Sequence, residues 1–198
     1  APLIAIDDDP VKTLVNADRL RIASIEGGGA VLGNLNIAGV RLTIRQGTVS
    51  GSSNDIDAGD VTLRGNELIE GGGKLENVQI KRPVFVVEPS GRYRASADMS
   101  IGGGTVGSIP LGNASAKVNV SNDRAELTEL TASVMNGTVN GTARIAFSER
   151  QQSSINADFT NLDLSKIVAL QGGRVIPFEG STTGRADITF NGTNVRST

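Results

Sequence analysis

The stretch Tyr93-Arg94-Ala95-Ser96-Ala97-Asp98-Met99-Ser100-Ile101 decides the fold class. Its odd-numbered side chains are Tyr, Ala, Ala, Met and Ile, and its even-numbered ones are Arg, Ser, Asp and Ser. An extended strand turns that order into one apolar face and one wet face, because successive side chains of a strand point to opposite sides. The same alternation recurs in Val40-Leu42-Ile44, set against Arg41-Thr43-Arg45. It returns in Ala114-Ala116-Val118-Val120, in Val139-Gly141-Ala143-Ile145-Phe147 and in Gly184-Ala186-Ile188-Phe190. Turn signals separate the runs at Ser121-Asn122-Asp123, Asn136-Gly137 and Asn191-Gly192. One short helix is expected from Asp163 to Leu170, with Asp163 or Ser165 as its N-cap and Gly172-Gly173 as its stop. The chain is therefore predicted to be all-β.

Composition agrees. Val and Ile outnumber Leu by about two to one, and β-branched side chains suit a pleated surface. The 198 residues include five Phe, one Tyr and no Trp. A closed sandwich usually fills its centre with aromatics, so this poverty points to a thin or open apolar layer.

The chain also repeats itself. Ile25-Glu26-Gly27-Gly28-Gly29 returns as Ile69-Glu70-Gly71-Gly72-Gly73, and Asn34-Leu35-Asn36-Ile37 returns as Asn77-Val78-Gln79-Ile80. Gly137, Gly141, Ala143, Ile145 and Phe147 map onto Gly180, Gly184, Ala186, Ile188 and Phe190, each 43 positions on. A period of about 43–46 residues marks a repeat architecture and leaves room for about four strands of ordinary length. About 15 such strands would make one sheet roughly 70 Å long. A propeller is disfavoured because four and a half blades do not close a ring. Residues 1–198 are expected to be a single segment of a larger protein.

Chemistry is scarce. There is no His or Cys, so imidazole and thiol catalysis and zinc sites built on those ligands are excluded. Asp55, Asp57 and Asp60 offer oxygen ligands for a cation, but no Ca²⁺-loop pattern completes around them, and they are expected to form an acidic turn. The Gly triplets at 27–29, 71–73 and 102–104 lack a following Lys-Ser/Thr or helix and are expected to be strand connections. Five Asn-x-Ser/Thr triplets, at Asn113, Asn119, Asn136, Asn140 and Asn191, fall where strands and turns are expected. A net charge of −2 gives no general attraction to nucleic acid. The chain is expected to be neither an enzyme nor a cofactor binder.

What remains is the apolar face. Alternation gathers Ala97, Met99, Ile101, Val118, Val120, Val139, Ala143, Ile145, Phe147, Ile155, Phe159, Ala186, Ile188 and Phe190 on one side. Two arrangements cover such a side. In a closed sandwich or solenoid these residues cover each other. In a sheet folded lengthwise into a groove they line space for guest hydrocarbon.

The run Ala125–Asn191 resembles the AsmA-like/TamB superfamily of bacterial envelope proteins. It carries L-T-A-S-V-M-N-G-T-V-N-G-T-A-R-I-A-F, then I-N-A-D-F-T-N-L-D-L-S-K-I, then F-E-G-S-T-T-G-R-A-D-I-T-F-N-G. That grammar of N-G turns, a short helix after L-D-L, and G-x-x-x-G-x-A-x-h-x-h is similar to the family's repeat. Gly107-Ser108-Ile109-Pro110-Leu111-Gly112-Asn113-Ala114 fits more loosely. The resemblance implies an elongated antiparallel sheet bent into a taco-like groove with the fourteen residues above as its lining. It also implies a periplasmic location in a protein anchored in the inner membrane of a Gram-negative bacterium. Phospholipid transfer to the outer membrane is the implied role, with acyl chains as the ligand and a TamA-like outer-membrane barrel as partner. Scaffolding of outer-membrane protein assembly and a surface repeat or adhesin spacer are the alternatives. The raw edges of such a sheet would also allow edge-to-edge dimers.

Overall fold

The computed structural model describes residues 12–27, 29–65, 71–165 and 180–193. They form β1 (Lys12–Gly27), β2 (Ala30–Arg45), β3 (Thr48–Ser52), β4 (Asp55–Leu63), β5 (Gly73–Val87) and β6 (Tyr93–Ile101). There follow β7 (Gly103–Val106), β8 (Ile109–Ser121), β9 (Arg124–Val134), β10 (Gly137–Ala146), β11 (Gln152–Asp163) and β12 (Ser181–Asn191). The chain is all-β, and every pairing is antiparallel.

The sheet is a meander. β3 and β4 both lie between β2 and β5, so the pairings β2–β3–β5–β4 close a ring around the break at Ser53-Asn54. The registers place β3 and β4 end to end along their neighbours. β6 and β7 do the same between β5 and β8. Ten strand positions therefore stand side by side, about 43 Å across at the usual interstrand spacing. The longest strands have 16 residues, so the repeat of 43 spans two long strands rather than four ordinary ones. Asn34 on β2 and Asn77 on β5 are equivalent positions in that repeat and stand in one row across β4.

Long strands pose a problem of phase. Along β2 the inward residues are Ala30 and Leu32, then Leu35 and Ile37, then Val40, Leu42 and Ile44. Each step of three crosses a residue with positive φ, Asn34 at 53° and Gly39 at 64°. Such a residue inserts one extra position and returns the apolar side chains to the same face. β5 does likewise at Asn77 (φ 52°) and Arg82 (φ 52°), β9 at Glu129 (φ 52°) and β11 at Asn161 (φ 57°). From β1 to β7 the interruptions line up in rows, whereas β9 and β11 each carry a bulge in which two residues face one. One row follows Ala23, Asn34, Gly59, Asn77 and Gly102, and each ladder skips its pair there. A second follows Asp18, Gly39, Asn54 and Arg82.

Bulges bend the strands that carry them, so aligned bulges act as creases. Leu35, Ala58, Val61, Val78 and Ile101 flank the first crease and are 2–8% exposed. Ile22, Ile56, Ile80, Met99, Leu111 and Ala114 pack against them. A flat single sheet leaves a side chain open from above. Burial this deep with side-by-side neighbours requires the apolar face to be concave along the crease.

Several local expectations are revised. Residues 55–60 are not a turn: they belong to β4, where Asp55 and Asp57 alternate with Ile56 and Ala58, whose side chains help fill the crease. Gly102–Gly104 do not connect neighbouring strands but break one strand position into β6 and β7. Of the expected helix, Leu164 and Ser165 are helical, and the Asp163 carboxylate accepts the Ser165 amide at 3.0 Å as an N-cap does. Residues 166–170 lie outside the described residues.

Candidate functional site

The ladders place most of the fourteen lining residues in rows that cross the sheet. Ala97, Val118, Leu127, Ala143, Ile155 and Ile188 are successive partners over six strands. Ile101, Ala114, Ala132, Val139 and Phe159 form a second row. Met99 lies between Ile80 and Ala116, and Val120, Ala125 and Ile145 continue one another. Ala186 pairs with Ala157, and Phe190 faces Ser153 at the end of β12, where the ring is 3% exposed. Phe147 is the exception. It follows the last paired residue of β10, donates its amide to the Asp123 carbonyl and is 46% exposed, so the ladder does not hold it beside Phe190.

Half of the lining was not legible by alternation. Leu35, Ala58, Val61 and Val78, among the most buried residues of the face, sit where steps of three interrupt the period of two. The signal that marks them is an Asn or Gly one or two positions before the resumed apolar residue: Asn34-Leu35, Gly59-Asp60-Val61 and Asn77-Val78.

Followed through its resets, the inward face carries no charged side chain in any described strand. Its polar members are Thr13, Ser53, Tyr93, Ser153 and Thr182. Ser153 is fully buried, accepting the Ala146 amide at 2.9 Å and donating to the Gly192 carbonyl at 2.5 Å. Two Phe rings on this face lie over glycines across the ladder. A Cβ at Gly51 would meet the Phe85 ring at 2.4 Å, and one at Gly184 would meet Phe159 at 2.8 Å. Glycine there lets each ring lie against the sheet instead of standing into the trough.

The face is open. Most of its side chains are half-buried, while Leu20 and Ile25 on β1 and Ile188 on β12 are 41–45% exposed. Burial is deep along the first crease and again where Phe190 meets Ser153, and shallow elsewhere on the face. Hollows of about 310 to 470 Å³ lie on the polar side of the sheet, lined by residues such as Arg94 and Arg124, or Asn140 and Asp158; the apolar trough is a surface rather than an enclosed cavity.

Charges are sorted onto the opposite face. Arg82, itself a positive-φ residue, pairs with Asp98, and Lys117 meets Glu129 at 2.5 Å. The hydrogen bond from Arg82 holds the Asp98 carboxyl below its usual range, and the Arg82 guanidinium is pushed up in return. Lys74 is raised by its hydrogen bond to Asp60, at 3.2 Å. These groups are solvated, so their pairs keep the outer face wet and add little stability. Among the described residues no cluster of three or more acidic side chains is arranged to hold a metal, and no helix is long and apolar enough to cross a membrane. No protein-family model, curated protein or solved structure matches the chain.

Proposed function

We propose that this chain is a groove segment of a periplasmic, AsmA/TamB-type envelope protein, and that its apolar trough conducts phospholipids between the inner and outer membranes. The observation that carries the reading is the charge-free inward face, maintained across ten strand positions by resets of phase. A chain that needed only a core could tolerate a solvent-facing charge near the open rims; here even Leu20, Ile25 and Ile188 at the rims are apolar. Each methylene of an acyl chain moved from water to such a surface gains about 0.8 kcal/mol. The lining is mostly Ala, Val, Ile and Leu, without charged anchors, which suits passage because no single point holds a chain tightly.

The test is photocrosslinking of lipid in the full-length protein. Ile145→Asp and Ile188→Asp introduce a charge on the inward face, at a half-buried and an exposed position. Both should cut crosslinking while circular dichroism stays that of a β-protein. Undiminished crosslinking in both, or no lipid in organic extracts of the purified chain, would refute the groove.

A second reading is a scaffold for assembly of outer-membrane proteins, with a TamA-like barrel as partner. The observation favouring it is that β1 and β12 each have one edge without a ladder among the described residues, and such edges template further strands. Proline substitutions along β1 would then impair function more than charges in the trough.

A further inference from the structure

We propose that the hollow on the polar face of β5, β6, β8 and β9 is a binding site for a phosphate ester. Its volume is about 310 Å³, within the range of small-molecule sites, and its lining includes Val84, Val86, Arg94, Asn119, Ser121 and Arg124. It lies across the sheet from the trough and stands or fails independently of lipid passage.

Register builds the site. Val86, Arg94 and Ser121 are successive partners on β5, β6 and β8. Arg124 follows on β9, where its carbonyl accepts from the Ser121 hydroxyl at 3.4 Å. The two arginines are thus two strand positions apart, roughly 10 Å between backbones, with a short hydroxyl side chain between them. Long rims around a short floor make the hollow. A guanidinium offers planar paired donors that match phosphate oxygens, and two of them across a serine present donors from both sides.

The charge balance leaves those donors in need of an anion. The Arg94 guanidinium makes no hydrogen bond or ion pair among the described residues. The only acid in the lining is Glu126, and its Oε1 is shared between Arg124 Nε at 2.8 Å and Arg144 Nε at 3.0 Å. Two guanidiniums therefore share one carboxylate, and the Arg94 guanidinium has no carboxylate of its own. The lining also offers apolar surface: Val84 and Val86 both face the hollow, and Val84 is 48% exposed. A bare inorganic anion would leave that surface uncovered. An ester places its carbon skeleton against Val84 and Val86 and its phosphate between Arg94 and Arg124.

Two sources supply such a group, a phospholipid head group and a soluble organic phosphate. The experiment separates them. The Arg Nε–Hε signals of the ¹⁵N-labelled protein are followed during titration with sn-glycerol 3-phosphate, and cosedimentation is measured with vesicles of phosphatidylglycerol and phosphatidylcholine. The variants are Arg94→Gln and Arg124→Gln, with Arg19→Gln on β1 as an exposed cation outside the hollow. Saturable shifts at Arg94 and Arg124 with the soluble ester, weakened about tenfold by either lining variant and unchanged by Arg19→Gln, support a soluble ligand. Vesicle binding alone, lost in the same two variants and kept in Arg19→Gln, assigns the site to a membrane head group. No saturable response in either arm overturns the site. Equal losses from Arg19→Gln and Arg94→Gln overturn it too, because they would reflect only general attraction between charges.

Discussion

Asn77 tests the account of how one face stays apolar. It sits at φ 52° on β5, with an exposed side chain, immediately before Val78, which is 2% exposed. Asparagine tolerates the left-handed region, whereas a side chain branched at Cβ clashes with its own backbone there, at a cost of roughly 1–2 kcal/mol. Asn77→Val removes no buried contact, so its whole effect is the backbone term. For a chain of this size that should lower the thermal midpoint by about 2–8 °C. Asn77→Gly should be neutral or slightly stabilising. The decisive control is Gln79→Val, two residues along the same exposed face but with ordinary strand geometry, where valine is favoured. The same pair of substitutions at Asn34 and Asn36 repeats the experiment on β2. Thermal melts by circular dichroism supply the readout. Equal midpoints for Asn77→Val and Gln79→Val would mean that position 77 is not held in a left-handed conformation, and the crease argument would fall with it.

Two serines on the inward face should respond in opposite directions. Ser153→Ala strands the Ala146 amide and the Gly192 carbonyl in a buried position and should destabilise by about 1–3 kcal/mol. The Ser53 hydroxyl is buried without a partner among the described residues, so Ser53→Ala should leave stability unchanged or raise it in urea titrations. The Arg82–Asp98 pair makes a prediction about pH. Asp98 is depressed in the folded state, so its contribution is present above the unfolded carboxylate pKa near 4 and is lost as pH falls through the lower folded value. The stability difference between the wild type and Arg82→Gln should therefore be present at pH 6 and shrink as pH falls below the unfolded carboxylate pKa near 4. A difference that does not shrink on acidification would exclude Asp98 as its source.

The strands that could be read directly are those without a reset in their middle. β6 and β10, and the parts of β8 and β12 spanning Ala114–Val120 and Gly184–Phe190, keep strict alternation. In β2 only Val40-Leu42-Ile44 was visible, because Asn34 and Gly39 each displace the period by one. β1 and β5 hid for the same reason. The repeat was legible as a period but not as a length, since strands of 15 and 16 residues are nearly three times the ordinary value. The pairing of Phe147 with Phe190 assumed that equal sequence offset means equal place. β10 ends at Ala146, so the two rings part company.

Phase resets also explain why the creases lie in rows rather than at scattered points. A strand that ran straight through a crease at unchanged length would send every later side chain to the wrong face. Asn77→Pro removes the reset on β5 and keeps its length, because the proline ring fixes φ at about −65°. Residues 73–76 would then turn Lys74 and Glu76 toward the apolar side and Leu75 outward. Exposing Leu75 costs about 1.5–3 kcal/mol, and facing two charges into the trough costs more. Releasing the segment is cheaper, since it gives up only the four pairs that β5 makes with β7 and the matching end of its ladder with β4. The substitution should therefore melt one corner of the sheet and spare the rest. In hydrogen exchange, amides of 73–76 and 103–106 should lose protection while those of β10 and β11 keep it. Uniform loss across the sheet would mean that the creases are set by global packing and not strand by strand, and unchanged protection at 73–76 would mean that Asn77 resets nothing.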